Sequence, residues 1–432
     1  MLKIGDKKLI NAWSFYDWAN SVYSLVISTA IFPLYFGAII NGKTATFLGT
    51  EWEHLTSLYS YALSFSFLIV AFISPILSAI ADYTGNKKKF MQFFCYMGAV
   101  SVMCLYFFEG IETLWVGIVF SVLASIGFWG SLVFYNAYLP EVARPDQQDA
   151  VSAKGFIYGY AGSIILLIIN LVMVMKPEMF GIDSGMASRI SFVMVGLWWM
   201  GFAQVTFRRL PNNVYHKKPK KDYIWKGFRE LKIVGKEINE YRTLKKFLIS
   251  FFLLSVGVQT IILMAAIFGS DELGIDSTNL IITILLVQVV AIVGAAIFSR
   301  ISKRLGNIKA LKITIIAWML VCFAGFLLDR EQENVAYYFY GLGGMIGLVQ
   351  GAIQSLTRST YSKLLPEDTE DHATYFSFYD VTEKIAIVSG TFVYGLLYAI
   401  TDSMQWSVLC LAIFFFASFV VLSTMKKTKY VQ

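Results

Sequence analysis

Three ionisable side chains within five positions set the chemical question. Asp380, Glu383 and Lys384 fall inside an apolar run of residues 374–400, at spacings that let Asp380 reach both neighbours on one helical face. At 1.5 Å per residue the cluster would lie about 9 to 15 Å from the nearer end of that helix. Two acids and one base leave one negative charge in excess. A proton on one carboxylate, a bound cation or the guanidinium of Arg358 would relieve it. The proton option is how a proton-coupled carrier works, with Glu383 the first candidate for the proton. Lys384 is then its partner or a contact for an anionic substrate. The alternative is a cluster that only pins a gate closed.

Two further helical faces carry polar chemistry. Gln350, Gln354 and Arg358 recur every four residues, with Thr357 and Tyr361 beside them. The planar fork of Arg358 suits a carboxylate or phosphate, whereas near a helix end the same side chain would reach the interface or lock a gate. Asp17, Asn20, Ser24 and Ser28 form a similar stripe on the first run. Asp17 either lines a cavity and shares in coupling, or sits as a paired, hydrated carboxylate near headgroups. Phe15, Tyr16 and Trp18 beside it either enclose the organic part of a ligand or pack as core.

What must position these residues is a membrane. Of the 432 residues 57% are hydrophobic and 15% charged, and the mean hydropathy is +0.61, too little polar surface to coat a soluble globule. A span needs roughly 20 mostly apolar residues. Twelve runs qualify: 12–40, 55–81, 90–108, 112–138, 152–175 and 188–207, then 245–269, 278–299, 310–328, 335–362, 374–400 and 404–425. One set of connections is basic, with Lys3, Lys7 and Lys8, Lys87 to Lys89, Arg300, Lys303, Arg304 and Lys309, and Lys426, Lys427 and Lys429. The alternate set holds Glu51, Glu53, Glu109, Glu112, Asp271, Glu272, Asp276, Asp329, Glu331 and Glu333. Basic connections stay in the cytoplasm, so both termini are expected inside.

Other classes are disfavoured by what is missing. The charge of +7 belongs to the topology and to anionic inner-leaflet lipids, not to nucleic acid. The apolar run after Lys8 is too long for a signal peptide and lacks a cleavage site. Cys95, Cys104, Cys322 and Cys410 have no paired spacing and lie away from His54, His216 and His372, so neither disulfides nor a metal site is expected. No nucleophile accompanies His372, and no phosphate-binding glycine loop ends in Lys-Ser or Lys-Thr, so an enzyme, a cofactor and ATP-driven pumping are all unexpected.

The expected domains are residues 1–207 and 245–432, joined by a basic linker at 208–244. Their ends echo each other: Gly85 and Asn86 match Gly306 and Asn307, and Tyr135, Leu139, Pro140 and Glu141 match Tyr361, Leu365, Pro366 and Glu367. Duplication explains two such matches in corresponding connections. In the linker, Ile224, Phe228, Leu231 and Ile238 recur near helical spacing among Lys226, Arg229, Lys232 and Lys236, as in an amphipathic helix on the inner membrane surface.

Ser78, Asp82, Gly85, Lys87 and Lys88 resemble the loop motif of the major facilitator superfamily, with Ser78 in place of its first glycine. Tyr16 to Ser21, Phe32 to Phe36, Asn136 to Glu141, Lys154 and Gly155, Gly159 to Gly162, and Gly347 to Gly351 through Gln354, Arg358 and Pro366 resemble one branch, that of the autophagy-linked vacuolar amino-acid effluxers. The resemblance spans nearly the whole chain. It implies an all-α fold of about twelve spans in two six-helix bundles, related by pseudo-two-fold symmetry, with alternating access. It also implies gating by Asp82, with Lys87 and Lys88 beside it; Glu141 and Lys154, flanking the fourth-to-fifth connection, join that gate or are simply solvated.

The expected protein is a monomeric secondary transporter of the cell membrane, moving a small polar solute. Amino acids lead on resemblance, with sugars, peptides or drugs as alternatives. A transporter-like sensor without flux is the other class. Asp17, Asn20, Gln350, Gln354, Arg358, Asp380, Glu383 and Lys384 are the candidates for binding or coupling.

Overall fold

The computed structural model describes residues 3–212 and 223–425. His216, Lys426, Lys427 and Lys429 lie outside the described residues, as do the side chains of Ile224 and Lys226. Almost everything described is helix, as expected of backbone that must satisfy its own hydrogen bonds in lipid.

The first run comprises α1 (Lys7–Val22), a π-helical stretch (Tyr23–Ile31) and α2 (Phe32–Ile40). A small hairpin, β1 (Ala45–Phe47) and β2 (Thr50–Trp52), pairs antiparallel with Thr46 opposite Glu51. There follow α3 (Leu55–Thr84), α4 (Lys87–Cys104), α5 (Leu114–Ala137), the short α6 (Leu139–Val142), α7 (Gln148–Met175) and α8 (Ser184–Arg209). The linker holds α9 (Tyr223–Glu240). The second half has α10 (Arg242–Ile267), continued by a π-helical turn (Phe268–Glu272), then α11 (Ser277–Leu305), α12 (Asn307–Phe326), α13 (Val335–Leu364), α14 (His372–Thr401) and α15 (Met404–Ser423).

Eleven of these helical runs among the described residues are long and apolar enough to cross a bilayer. The sequence expectation was twelve. The difference is α13, whose 30 residues suffice in length but include Tyr337, Tyr338, Tyr340, Gln350, Gln354 and Arg358. The helix with these polar side chains is the one whose composition least resembles lipid.

The chain divides into two compact units. One is Lys7–Tyr138 with Tyr158–Phe228, and the other is Met1–Asp6, Leu139–Ile157 and Arg229–Gln432. The division therefore cuts through α7 and α9.

Within the first unit, α4 and α5 meet at glycine: a Cβ on Gly127 would lie 2.4 Å from the Cα of Gly98. Trp13, Trp199 and Phe134 are fully buried there. Within the second, α11 and α13 run in backbone contact, because a Cβ on Gly294 would come 2.0 Å from the carbonyl oxygen of Leu348 and one on Gly351 2.0 Å from that of Ala291. Helices in lipid gain little from apolar burial against one another, so close packing of small residues does the work. The repeated Gly-Asn marks share a positive φ at glycine but not one conformation, since ψ is 17° at Gly85 and 157° at Gly306. Gly85 and Gly306 both have positive φ, +70° and +86°, and each turns the chain into the helix that follows, α4 or α12.

The α11–α13 contact is testable on one helix. Gly351→Ala should lower the thermal unfolding midpoint in detergent, by overpacking worth about 1–3 kcal/mol. Gly341→Ala, where a Cβ meets nothing within 4 Å, should be neutral or slightly stabilising. Equal midpoints for the two variants would refute the backbone contact.

Candidate functional site

In the second unit the α14 cluster is assembled as its spacing predicts. Lys384 Nζ lies 3.1 Å from Asp380 Oδ1 and 3.5 Å from Glu383 Oε2. The Lys384 and Asp380 side chains are 1% and 8% exposed, and that of Glu383 19%. From α10, Gln259 Nε2 donates to Glu383 Oε1 at 2.7 Å. Asp380 Oδ2 is buried with no hydrogen-bond partner among the described residues. One ammonium thus serves two carboxylates, with one carboxylate oxygen still facing the interior. Burying even one unbalanced charge is costly enough that a proton or a cationic group is expected to join the set.

Below the cluster α14 is held by rings and hydroxyls. Tyr379 stacks on Phe251 at 4.0 Å between centroids, and its hydroxyl donates to Thr357 Oγ1 at 3.0 Å. Tyr361 donates to the Tyr375 carbonyl at 2.6 Å. These contacts tie α14 to α10 and α13.

Arg358 is buried, 3% exposed, and engages the start of α7. Its Nε donates to Ser152 Oγ and its Nη2 to the Ser152 carbonyl, both at 2.9 Å, while the guanidinium lies over Phe156 at 4.1 Å. This geometry ties α13 to the start of α7. Gln350 is buried and Gln354 half-buried on the same helix.

A second polar knot lies nearby and was not singled out from the sequence. Lys363 pairs with Asp149 at 2.7 Å, with side chains 6% and 9% exposed. Asp149 also accepts from Asn307 Nδ2 at 2.8 Å and Ser302 Oγ at 3.0 Å, and Lys363 donates to Asn307 Oδ1 at 3.0 Å. Asn307 Nδ2 reaches Thr360 Oγ1 at 3.0 Å. The echo of Asn86 at Asn307 was the available signal, but only the fold shows which carboxylate it meets. Glu141 lies 3.1 Å from His372 Nδ1, and both are buried.

In the first unit, Asp17 is 4% exposed and accepts from the Tyr135 hydroxyl at 2.8 Å. Trp13 stacks on Tyr135 at 4.5 Å and donates to its carbonyl at 2.9 Å, fixing the phenol that holds Asp17. Asn20 is 1% exposed, whereas Ser24 and Ser28 are exposed. The sequence stripe therefore breaks in two, because the π-helical winding from Tyr23 changes the angular step per residue. Phe15 stacks on Trp18 and Trp18 on Trp198, which gives these aromatics a packing role.

Asp82 pairs with Lys87 at 3.7 Å, Lys87 lies over the Tyr138 ring at 5.6 Å, and Lys88 donates to the Leu210 carbonyl at 2.9 Å. Lys154 is half-buried on α7. Among the described residues no group of His, Cys, Asp and Glu is placed to hold a metal ion.

A family model described as "Vacuole effluxer Atg22 like" matches residues 5–431. The chain belongs to the Atg22-like family. It is 33% identical to the Bacillus subtilis protein described as an uncharacterized MFS-type transporter, YxiO, over 96% of this chain and 94% of that one. It is 25% identical to autophagy-related protein 22-1 of Penicillium rubens, over 86% of this chain and 75% of that one. Among solved structures it is similar to the proton:xylose symporter XylE, with TM-score 0.73 and 10% identity over 98% and 96% of the two chains. It is also similar to FucP in the outward conformation, with TM-score 0.66 and 12% identity over 98% of each. The fold is that of the major facilitator superfamily, and this Atg22-like protein is an integral membrane transporter, not an enzyme.

The Asp149–Lys363 pair predicts a coupled pattern of stability. Removing one partner of a buried pair costs about 3–5 kcal/mol. Lys363→Met should therefore lower the unfolding midpoint sharply, and Lys363→Met with Asp149→Asn should recover most of the loss. Strictly additive losses in the double variant would rule the interaction out.

Proposed function

We propose that this Atg22-like protein is a proton- or cation-coupled secondary transporter of a small polar solute, an amino acid or related metabolite, working by alternating access in the cell membrane. The observation that carries the coupling is the α14 set: buried Asp380 and Lys384, half-buried Glu383, and Gln259 orienting Glu383. A charge-unbalanced group of this kind binds a proton or a cationic substrate more strongly when the site is dry than when it is wet. Exchange between those two conditions is what alternating access would supply. The family description and the fungal relatives name vacuolar efflux and autophagy, and the amino-acid class rests on the sequence resemblance alone. Proton coupling is in keeping with the XylE neighbour, itself a proton:xylose symporter.

The proposed topology has twelve spans, with α13 as the twelfth, and both termini in the cytoplasm. Basic connections such as Lys87 to Lys89 and Arg300 to Lys309 support this side assignment. On that orientation Asp82, Lys87, Lys88, Glu141 and Lys154, together with Asp149, Lys363 and Arg358, hold the inner gate. Asp17, Asn20, Gln350 and Gln354 remain the other candidates for substrate contact, and the monomer is the proposed working unit.

Proteoliposomes test the coupling. One proton moving down a gradient of one pH unit supplies about 1.4 kcal/mol, enough for about tenfold accumulation. Glu383→Gln keeps the shape of the side chain and removes its titration. It should reduce pH-driven accumulation of amino acids to simple equilibration while leaving folding intact. Undiminished pH-driven accumulation in that variant would sink the assignment of Glu383 as proton carrier.

A further inference from the structure

The helix α9 has two faces. Gly227, Val234 and Ile238 are buried, with half-buried Leu231 between them, a stripe at spacings of three and four. Phe228, placed in the apolar stripe by the sequence, lies outside this protein-facing one. Phe228 is 42% exposed because the stripe turned to the protein begins at Gly227. On the second unit Tyr375 donates to Glu237 Oε2 at 2.5 Å, and Phe378 lies under Gly235, which fixes the orientation of the helix.

The opposite face is neither polar nor apolar. Trp225 is 78% exposed and Ile233 42%, and with Phe228 they share the outer arc with exposed Arg229, Lys232 and Lys236. At 100° per residue, Trp225, Phe228, Arg229, Lys232 and Lys236 fall within about a third of the circumference. Glu240, one turn beyond, pairs with Lys236 at 3.7 Å. Exposed aromatics at such a density are uncommon on a surface meant only for water.

The position of α9 names the partner. It ends at Glu240, and α10, a membrane-crossing run, begins at Arg242. Only Tyr241, half exposed, separates them. The last turn of α9 is therefore at the bilayer boundary, where an aromatic-plus-basic face meets headgroups. We infer that the Trp225–Lys236 face of α9 docks on anionic phospholipid, its rings entering the headgroup layer and its three cations pairing with lipid phosphates. The inference rests on the membrane assignment and is independent of the cargo.

The test uses the full chain in nanodiscs, which expose both membrane faces and so make the result independent of orientation. With the four native cysteines replaced, Trp225→Cys and, separately, Phe228→Cys carry a nitroxide. Accessibility is read with oxygen, which concentrates in lipid, and with a nickel chelate, which stays in water. In discs containing phosphatidylglycerol both labels should favour oxygen. In phosphatidylcholine alone, or after Arg229→Gln, Lys232→Gln and Lys236→Gln together, they should shift towards the chelate. Labels open to the chelate in both lipids would overturn the inference, and so would labels shielded from both reagents, which would mean a covering protein. Lipid-embedded labels that ignore lipid charge would overturn its anionic part. The comparison of lipids needs no charge substitution, so a misfolded triple variant would leave the test intact.

Discussion

Bilayer hydrocarbon cannot solvate a charge, and most of this structure follows from that constraint. Each ionisable group inside a span costs at least a few kcal/mol unless another group compensates it. Asp17 meets a phenol that is itself fixed by Trp13, Asp149 meets Lys363 and two further donors, and Arg358 meets the two oxygens of Ser152. On α14 the balance is left uneven, with one ammonium between two carboxylates.

Much of the architecture was legible because lipid imposes a simple sequence rule. Long apolar runs stood out one by one, and the repeated Gly-Asn marks pointed to two interhelical turns, where Gly85 and Gly306 both have positive φ. The rule fails for α13, whose polar residues dilute the signal that length alone would give. It fails again at Tyr23–Ile31, where π-helical winding breaks the expected stripe from Asp17 to Ser28.

The site was legible only where its members share one helix. Asp380, Glu383 and Lys384 could be placed together from spacing, since helical geometry needs no tertiary knowledge. Gln259, 124 positions away from Glu383, could not. Asp149 and Lys363 looked like ordinary connection residues for the same reason. Arg358 was left between two roles in the sequence, and its bonds to Ser152, 206 positions away, could not be read there.

The backbone contact between α11 and α13 also bears on the polar groups that these two helices extend to α7. Gly294 and Gly351 leave no room for a side chain, so neither helix can slide or tilt against the other without colliding carbonyls. Yet α11 supplies Ser302 to Asp149, and α13 supplies Arg358 to Ser152 and Lys363 to Asp149. Bonds that sit on two helices are therefore carried by one rigid body. A displacement of the start of α7 against this pair would therefore strain all of these bonds at once and not one after another.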